Sequence, residues 1–354
     1  MAAKITVREV AKHASVSIGT VSRVLNDDPA VSVDAAKRVQ EAVKALNYTP
    51  LRRTRTDPER PLDGRNIALI MLGMDRSMAG LPVVAEAVHG AEQALAGLGA
   101  KLLLADLPDL KHVPGFVSGA RLDGAILKGA LQGRGIADSK TALIRHLRDT
   151  PTVWILGRPE GCWGDAVQAD DMLSGEMVAD HLADMGHRRL AFLNPKPNHV
   201  TFLRRQLGFV SRAQARGATV AVFEGDQNRK WTLPLKSAQD VACIQGLVDQ
   251  VLAASKRPTA IYTPSDSCAA LVYRALAVAG LTVGEDISVI STNNETALTN
   301  VLYPGLTTLD VNAAAIGHCA ADQLSWRLAH PREPDITLSL RPTLIPRDSV
   351  ADLR

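Results

Sequence analysis

The sequence predicts a small all-α helix-turn-helix head joined by a short linker to a larger α/β body of two lobes. Three observations carry this. At 354 residues the chain exceeds one ordinary domain. Residues 5–48 place apolar side chains at helical spacing between short turn clusters. From Asn66 onward, short apolar runs alternate with helical patterns, as in parallel sheets covered on both faces.

The head, residues 1–48, opens with "TVREVAKHA". Thr6 precedes Glu9 by the spacing of a capping box, and Val7, Val10, Ala11 and Ala14 share one helical face. After the break "SVS", Ser17 is placed to cap a second helix whose inward positions are Val21, Val24 and Leu25. "NDDPAVS" is a turn cluster, and Ser32 then caps a third helix with Val39, Val43 and Leu46 inside. In a helix-turn-helix the second helix enters the DNA major groove and meets base edges near its start. Its outward face here is Ile18, Gly19, Ser22 and Arg23, a poor surface for a helix inside a bundle. Arg23 can grip guanine O6 and N7 with two hydrogen bonds, or a phosphate. Ile18 suits a thymine methyl, and Gly19 permits close approach without reading a base. Ser17, Thr20 and Ser22 supply short hydroxyls for capping, phosphate or close base contact.

Residues 49–65 read as a basic linker. Pro58 bars a regular helix from continuing through it, and Arg52, Arg53 and Arg55 suit phosphates or a narrow minor groove.

The body, residues 66–354, contains two series of strand-like runs. "IALIML" (67–72), "KLLLA" (101–105), "GAILKG" (124–129) and "TVWILG" (152–157) form the first. "RLAFLNP" (189–195), "TVAVFEG" (219–225), "TAIYTPSD" (259–266) and "ISVIST" (287–292) form the second. Helical patterns at 82–98, 174–185, 201–216, 238–254 and 267–279 lie between them. Ligands of such sheets bind at the carboxyl ends of strands, here the cleft between lobes.

Composition narrows the function classes. Aromatic residues are only 4%, so the core is built from Ala, Val, Leu and Ile. No apolar run reaches the ~18 residues of a membrane span. Lys4, Arg8, Glu9 and Lys12 interrupt any signal peptide. Cys162, Cys243, Cys268 and Cys319 are scattered, which argues against a zinc site or a disulfide framework and for a cytoplasmic chain. Residues 1–56 hold ten Lys/Arg against five acids, a net charge of +5, whereas the rest of the chain carries −2. A basic head on a slightly acidic body fits a polyanionic partner. The chain has no GK dipeptide, GxGxxG, GxSxG or HExxH pattern, so no catalytic signature competes, and no metal or cofactor is expected.

The run "TVREVAKHASVSIGTVSRVLN", followed by "LNYTP", strongly resembles the DNA-binding head of the LacI/GalR family of bacterial transcription regulators. By position, the resemblance implies that Ile18, Gly19 and Arg23 occupy the base-reading positions and that Thr6, Ser17, Thr20, Asn26 and Ser32 grip phosphates, and Tyr48 is a further DNA-binding candidate. The linker departs from the family pattern. The family has Asn after the proline and then a minor-groove helix with a wedge leucine; here Leu51 replaces the Asn, and Asp57–Pro58 stands at the wedge.

The body resembles a periplasmic-binding-protein-type effector domain crossed three times by the chain. Lobe one is expected over about 66–167 and 311–338, lobe two over 168–310 and 339–354. Arg205 matches the family's ligand-binding arginine, and Ser265, Asp266 and Asn293 fall at cleft-facing strand ends. The loops after two first-lobe strands put Asp75, Arg76 and Ser77 at the cleft mouth and offer Trp163 to stack on a sugar ring. Trp231 is a weaker candidate, and His187 matches a structural Gly-His turn. The resemblance implies a homodimeric repressor of double-stranded operator DNA, controlled by a small effector, foremost a carbohydrate. The alternatives are the same regulator answering a purine or other metabolite, and a sugar- or nucleoside-processing enzyme with a fused head.

Overall fold

The computed structural model describes residues 6–25, 31–46, 48, 60–111, 115, 122–228, 231–236 and 241–354. Asn26, Arg52, Arg53, Arg55 and the linker proline Pro58 lie outside them. The chain divides into two compact units, Met1–Asp57 and Pro58–Arg354.

The first unit is the helical head. Helices α1 (Val7–His13), α2 (Ile18–Leu25) and α3 (Val33–Ala45) bury Val10, Ala11, Ala14, Val21, Val24, Val39 and Ala42 in one core. Leu25, Val43 and Leu46 are half-buried at its edge. The expected caps form. The Glu9 carboxylate accepts from the Thr6 N–H at 2.6 Å and from Thr6 Oγ1 at 3.0 Å. Ser17 Oγ accepts from the Thr20 N–H at 3.0 Å, and Ser32 Oγ from the Ala35 N–H at 3.4 Å. Each cap satisfies a donor that the helix itself leaves open.

In the second unit the elements follow in the order β1 (Asn66–Leu72), α4 (Arg76–Ala79), α5 (Pro82–Gly97), β2 (Lys101–Leu107), β3 (Gly124–Gly129), α6 (Ala142–Arg148), β4 (Thr152–Ile155), β5 (Asp165–Ala169), α7 (Asp171–Asp184), β6 (Arg189–Asn194), α8 (Val200–Ala215), β7 (Thr219–Glu224), α9 (Val241–Ala253), β8 (Ala260–Tyr262), α10 (Asp266–Val278), β9 (Ser288–Asn293), α11 (Thr296–Thr299), β10 (Thr307–Asp310), α12 (Ala313–Ala329), β11 (Thr337–Leu340) and β12 (Thr343–Ile345). They build two six-stranded sheets, ordered β11-β5-β4-β3-β1-β2 and β12-β10-β9-β8-β6-β7. The pairings are parallel apart from the antiparallel pair of β10 with β12.

Alternation along each strand explains why both faces are apolar. Ile67 and Leu69 of β1 face a core with Ala87, Ala91, Ile316, Ala320 and Leu324 of α5 and α12. Ala68, Ile70 and Leu72 face the opposite core, with Leu143, Ile144 and Leu147 of α6. In the second sheet Leu190 and Phe192 face Val178, Leu182 and Phe209 of α7 and α8. Ala191 and Leu193 face Ile244, Val248, Val272 and Leu276 of α9 and α10.

Three details differ from the expectation. The body starts before residue 66: Leu62 is 1% exposed, and its N–H donates to the Leu98 carbonyl at 3.1 Å. The first sheet extends to Ala169 and Leu340, beyond the anticipated lobe limits. Strand β5, "DAVQA", was hidden by Asp165 and Gln168. Asp165 is fully buried, and its carboxylate accepts from Arg327 Nη2 at 2.6 Å, Gln323 Nε2 at 2.7 Å and the Ile336 N–H at 2.8 Å. No helix among the described residues is long and apolar enough to cross a membrane.

Candidate functional site

On the head, Ile18, Gly19, Ser22 and Arg23 lie on the exposed side of α2, opposite Val21 and Val24. Ile18 is 47% exposed, a large apolar side chain at the helix start with little packing. Ser17 and Thr20 share a hydroxyl contact of 2.9 Å beside it. Tyr48 is half-buried against the head core, and its N–H donates to the Val43 carbonyl at 2.9 Å.

In the body, a cleft of about 510 Å³ opens between the sheets. Its lining comes from the carboxyl ends of strands in both lobes: Met74 after β1, Lys128 to Gln132 at β3, Leu156 after β4, Gln168 at β5, Lys196 after β6, Ser265 after β8 and Asn293 at β9. Of the expected ligand residues, Arg205, Ser265 and Asn293 come together here.

Arg205 on α8 is 4% exposed. Its Nε donates to Asp171 Oδ1 at 2.9 Å, and its Nη1 donates to the Pro264 carbonyl at 2.5 Å and to Asn293 Oδ1 at 3.1 Å. This geometry requires α7 and α8 to touch. A Cβ at Gly175 would collide with the Arg205 carbonyl, and one at Gly208 with that of Met172. Asn293 and Asn294 carry φ of 133° and 56°, so the end of β9 doubles back and aims Asn293 at Arg205. Asn294 holds that bend through Asp310 at 2.9 Å and Arg347 at 3.0 Å.

Sequence reasoning missed several cleft residues. Glu295 is 3% exposed; its Oε1 accepts from Asn293 Nδ2 at 3.3 Å, and its Oε2 is buried without a partner. Burial first, and then the charge of Asp266, push its carboxyl up to about 7. Lys128 is 6% exposed and donates to the Gly129 carbonyl at 2.9 Å. Desolvation lowers its ammonium to about 8, partly offset by Asp171. His199, the N-cap of α8, stacks on Phe202 with ring centroids 4.4 Å apart and leaves Nδ1 buried without a partner. Burial, and then the cations Lys196, Lys128 and Arg205, keep this ring neutral. The available signal was a charged or polar residue closing an apolar run at its carboxyl end, as in "GAILKG".

Five expected ligand residues do not line the cleft. Asp75 is occupied as the N-cap of α4, its carboxylate accepting from Ser77 N–H at 3.0 Å and Met78 N–H at 3.3 Å; Arg76 and Ser77 are exposed beside it, and Met74 and Met78 face the cleft instead. Asp266 is fully buried beneath the site. It accepts from Ser291, from Thr308 Oγ1 at 2.7 Å and from the Glu295 N–H at 2.6 Å, tying β9, β10 and α11 together. Trp163 is a core plug rather than a stacking platform: its Nε1 donates to the Leu147 carbonyl at 3.1 Å, and it meets Trp154 edge-on at 5.7 Å. Trp231 likewise packs on the first-lobe core. His187 is 1% exposed and bonded to Thr259 and Ser288, a structural role.

Two further contacts span the cleft. Gln132 and His199 form an antiparallel backbone bridge, and Met74 forms a parallel one with Leu235 from the β7–α9 connection.

Residues 6–50 match the family of bacterial regulatory proteins, lacI family, and residues 179–350 match a periplasmic binding protein-like domain. The chain is 28% identical over 352 residues to the HTH-type transcriptional repressor PurR of Mannheimia succiniciproducens, covering 98% of each chain. It is 28% identical over 350 residues to the ribose operon repressor of Escherichia coli strain K12, covering 97% of this chain and 99% of that one. A solved complex of the transcriptional regulator CelR with cellobiose superimposes with a TM-score of 0.65 at 25% identity, over 98% of this chain and 99% of that one.

Proposed function

Because the chain belongs to the LacI family of bacterial regulatory proteins, and is a DNA-binding transcriptional repressor of that family, we propose that a carbohydrate bound in the cleft sets its affinity for operator DNA. The observation that carries the effector class is the polar cluster of Arg205, Asn293 and Glu295, in which a buried carboxylate oxygen has no donor. A ligand hydroxyl supplies that donor while accepting from Arg205 or Asn293, which is how a polyol is read. Met74, Met78, Leu81, Val84, Leu131 and Leu271 are aliphatic, and the two lining rings, His199 and Phe202, stack on each other. The cellobiose complex and the ribose operon repressor are consistent with a sugar; the PurR relative keeps a purine as the competing ligand.

On DNA, Arg23 and Ile18 read the major groove, and Thr6, Ser17, Thr20, Ser22, Asn26, Ser32 and Tyr48 contact or support the phosphate backbone, with Arg52, Arg53 and Arg55 adding charge from the linker. Two copies of the chain place two recognition helices on a near-palindromic operator. The ligand acts by its differential affinity for open and closed lobes, so ligand and operator affect each other reciprocally.

The test is a mobility-shift titration of the full chain on operator fragments selected from a random library, with and without a panel of sugars and purines. A sugar that moves operator affinity at least tenfold supports the reading. A shift with purines alone overturns the effector class, and turnover of a sugar or nucleoside by the purified chain overturns the non-enzymatic reading.

A further inference from the structure

Adjoining the hydroxyl-reading cluster of Arg205, Asn293 and Glu295, one end of the cleft is built around Lys128, whose ammonium is buried at the end of β3 and spends one donor on the Gly129 carbonyl. A buried ammonium has three donors and needs a counter-charge to offset its desolvation. Asp171, whose charge Lys128 senses, is already engaged by Arg205 at 2.9 Å. The same end holds the start of α8, a helix of 16 residues with no side-chain cap at its N-cap His199 and no acid in its first turn. Such a terminus carries partial positive charge and open N–H donors. The backbone bridge of His199 with Gln132 holds that helix start to the lobe carrying Lys128. Lys196 and Arg274 add positive charge to the lining, against Asp171 and Glu295 alone.

We propose that the effector carries an anionic group, carboxylate or phosphate, seated between Lys128 and the first turn of α8. This deepens the carbohydrate reading and rests on it: the ligand class becomes a sugar acid or sugar phosphate, its hydroxyls facing Arg205, Asn293 and Glu295. The anion supplies the charge that Lys128 lacks and takes the place of the missing helix cap.

The experiment is calorimetric titration of the full chain with glucose, gluconate, glucuronate and glucose 6-phosphate, alongside ribose and ribose 5-phosphate, inorganic phosphate, acetate and adenine. At least one acid or phosphate is expected to bind ten or more times tighter than its neutral parent, and carboxylate and phosphate members identify which anion is meant. Lys128→Met is expected to narrow that ratio below about threefold, and Lys128→Arg to retain most of it. If Lys128→Met does not fold, Lys128→Gln, neutral but able to donate to the Gly129 carbonyl, is read against the same threefold limit. Neutral sugars binding as tightly as their acids overturn this proposal and leave the carbohydrate reading standing, as does an acid preference untouched by Lys128→Met. Adenine binding with no sugar, acid or phosphate bound overturns both.

Discussion

The Leu235 N–H donates to the Gly73 carbonyl at 2.8 Å, so a residue carried by the second lobe is hydrogen-bonded to the first. The Asp75 N–H returns the bond to the Leu235 carbonyl, also at 2.8 Å. The Leu235 side chain is 3% exposed within the first-lobe core, and Leu233 lies over Gly73 and Gly135. Leu233 and Leu235, which precede α9, are therefore held on the first lobe while the helix that follows belongs to the second. Removing most of a buried leucine costs on the order of 2 kcal/mol or more. Leu235→Ala is expected to weaken effector binding about tenfold and to enlarge the ligand-free radius of gyration in solution scattering. A lower melting temperature with unchanged affinity and radius would make this contact a stabiliser only.

The head offers a separate test. Arg23 is exposed at α2 with neighbours too small to compete for a base edge. Arg23→Ala is expected to cost about 1–3 kcal/mol of specific binding and to relax base preference at one position per half-site. Competition with operator variants reads this directly. A uniform loss across all sequences, with a shallower salt dependence, would assign Arg23 to a phosphate.

How much of this was legible depended on how local the cause is. The head was readable because Thr6 with Glu9, Ser17 and Ser32 act over three residues, and Val21 and Val24 mark one face of a short helix. Strands β1, β3 and β6 were readable as apolar runs buried on both faces. Strand β5 was not, because Asp165 looks exposed until Arg327 and Gln323, far along the chain, close over it, and Gln168 looks exposed until the cleft forms around it. In the cleft, Arg205 and Asn293 followed from strand ends and the family pattern. Lys128 reads as an ordinary strand residue, since nothing nearby in sequence announces that its ammonium ends inside. Trp163 misled in the opposite way. Its glycine-rich neighbours suggested exposure, but the Leu147 carbonyl and Trp154 draw it into the first lobe.

The small head core predicts that DNA binding and effector binding fail separately. Val10, Val21 and Val39 are fully buried, yet the unit that holds them, Met1–Asp57, is small and has little apolar area to spare. Val39→Ala removes two methyl groups from that core, an effect of roughly 1–3 kcal/mol. The expected result is loss of operator binding at 37 °C with effector affinity retained in calorimetry. Joint loss of both would mean that the two units do not fold independently.

Glu295 predicts a pH dependence whose sign is fixed by its surroundings. Burial and the charges of Asp266 and Glu86 raise its carboxyl to about 7, against weaker opposing effects of Asn293 and Arg205. The folded chain therefore holds this proton more tightly than the unfolded chain, whose carboxyl ionises near 4.5. Below that value both forms are protonated and Glu295 adds no penalty. As pH rises toward 7 the unfolded state ionises first and gains, so the folded state loses stability across that window and holds a constant deficit above it. Glu295→Gln keeps an oxygen acceptor for Asn293 Nδ2 and removes the titration. It is expected to raise the melting temperature by a few degrees at pH 8, to leave it nearly unchanged at pH 4.5, and to flatten the slope between. A variant with the wild-type slope would place the titration on another group. A variant less stable at pH 8 would mean that the ionised carboxylate is bound favourably inside the cleft.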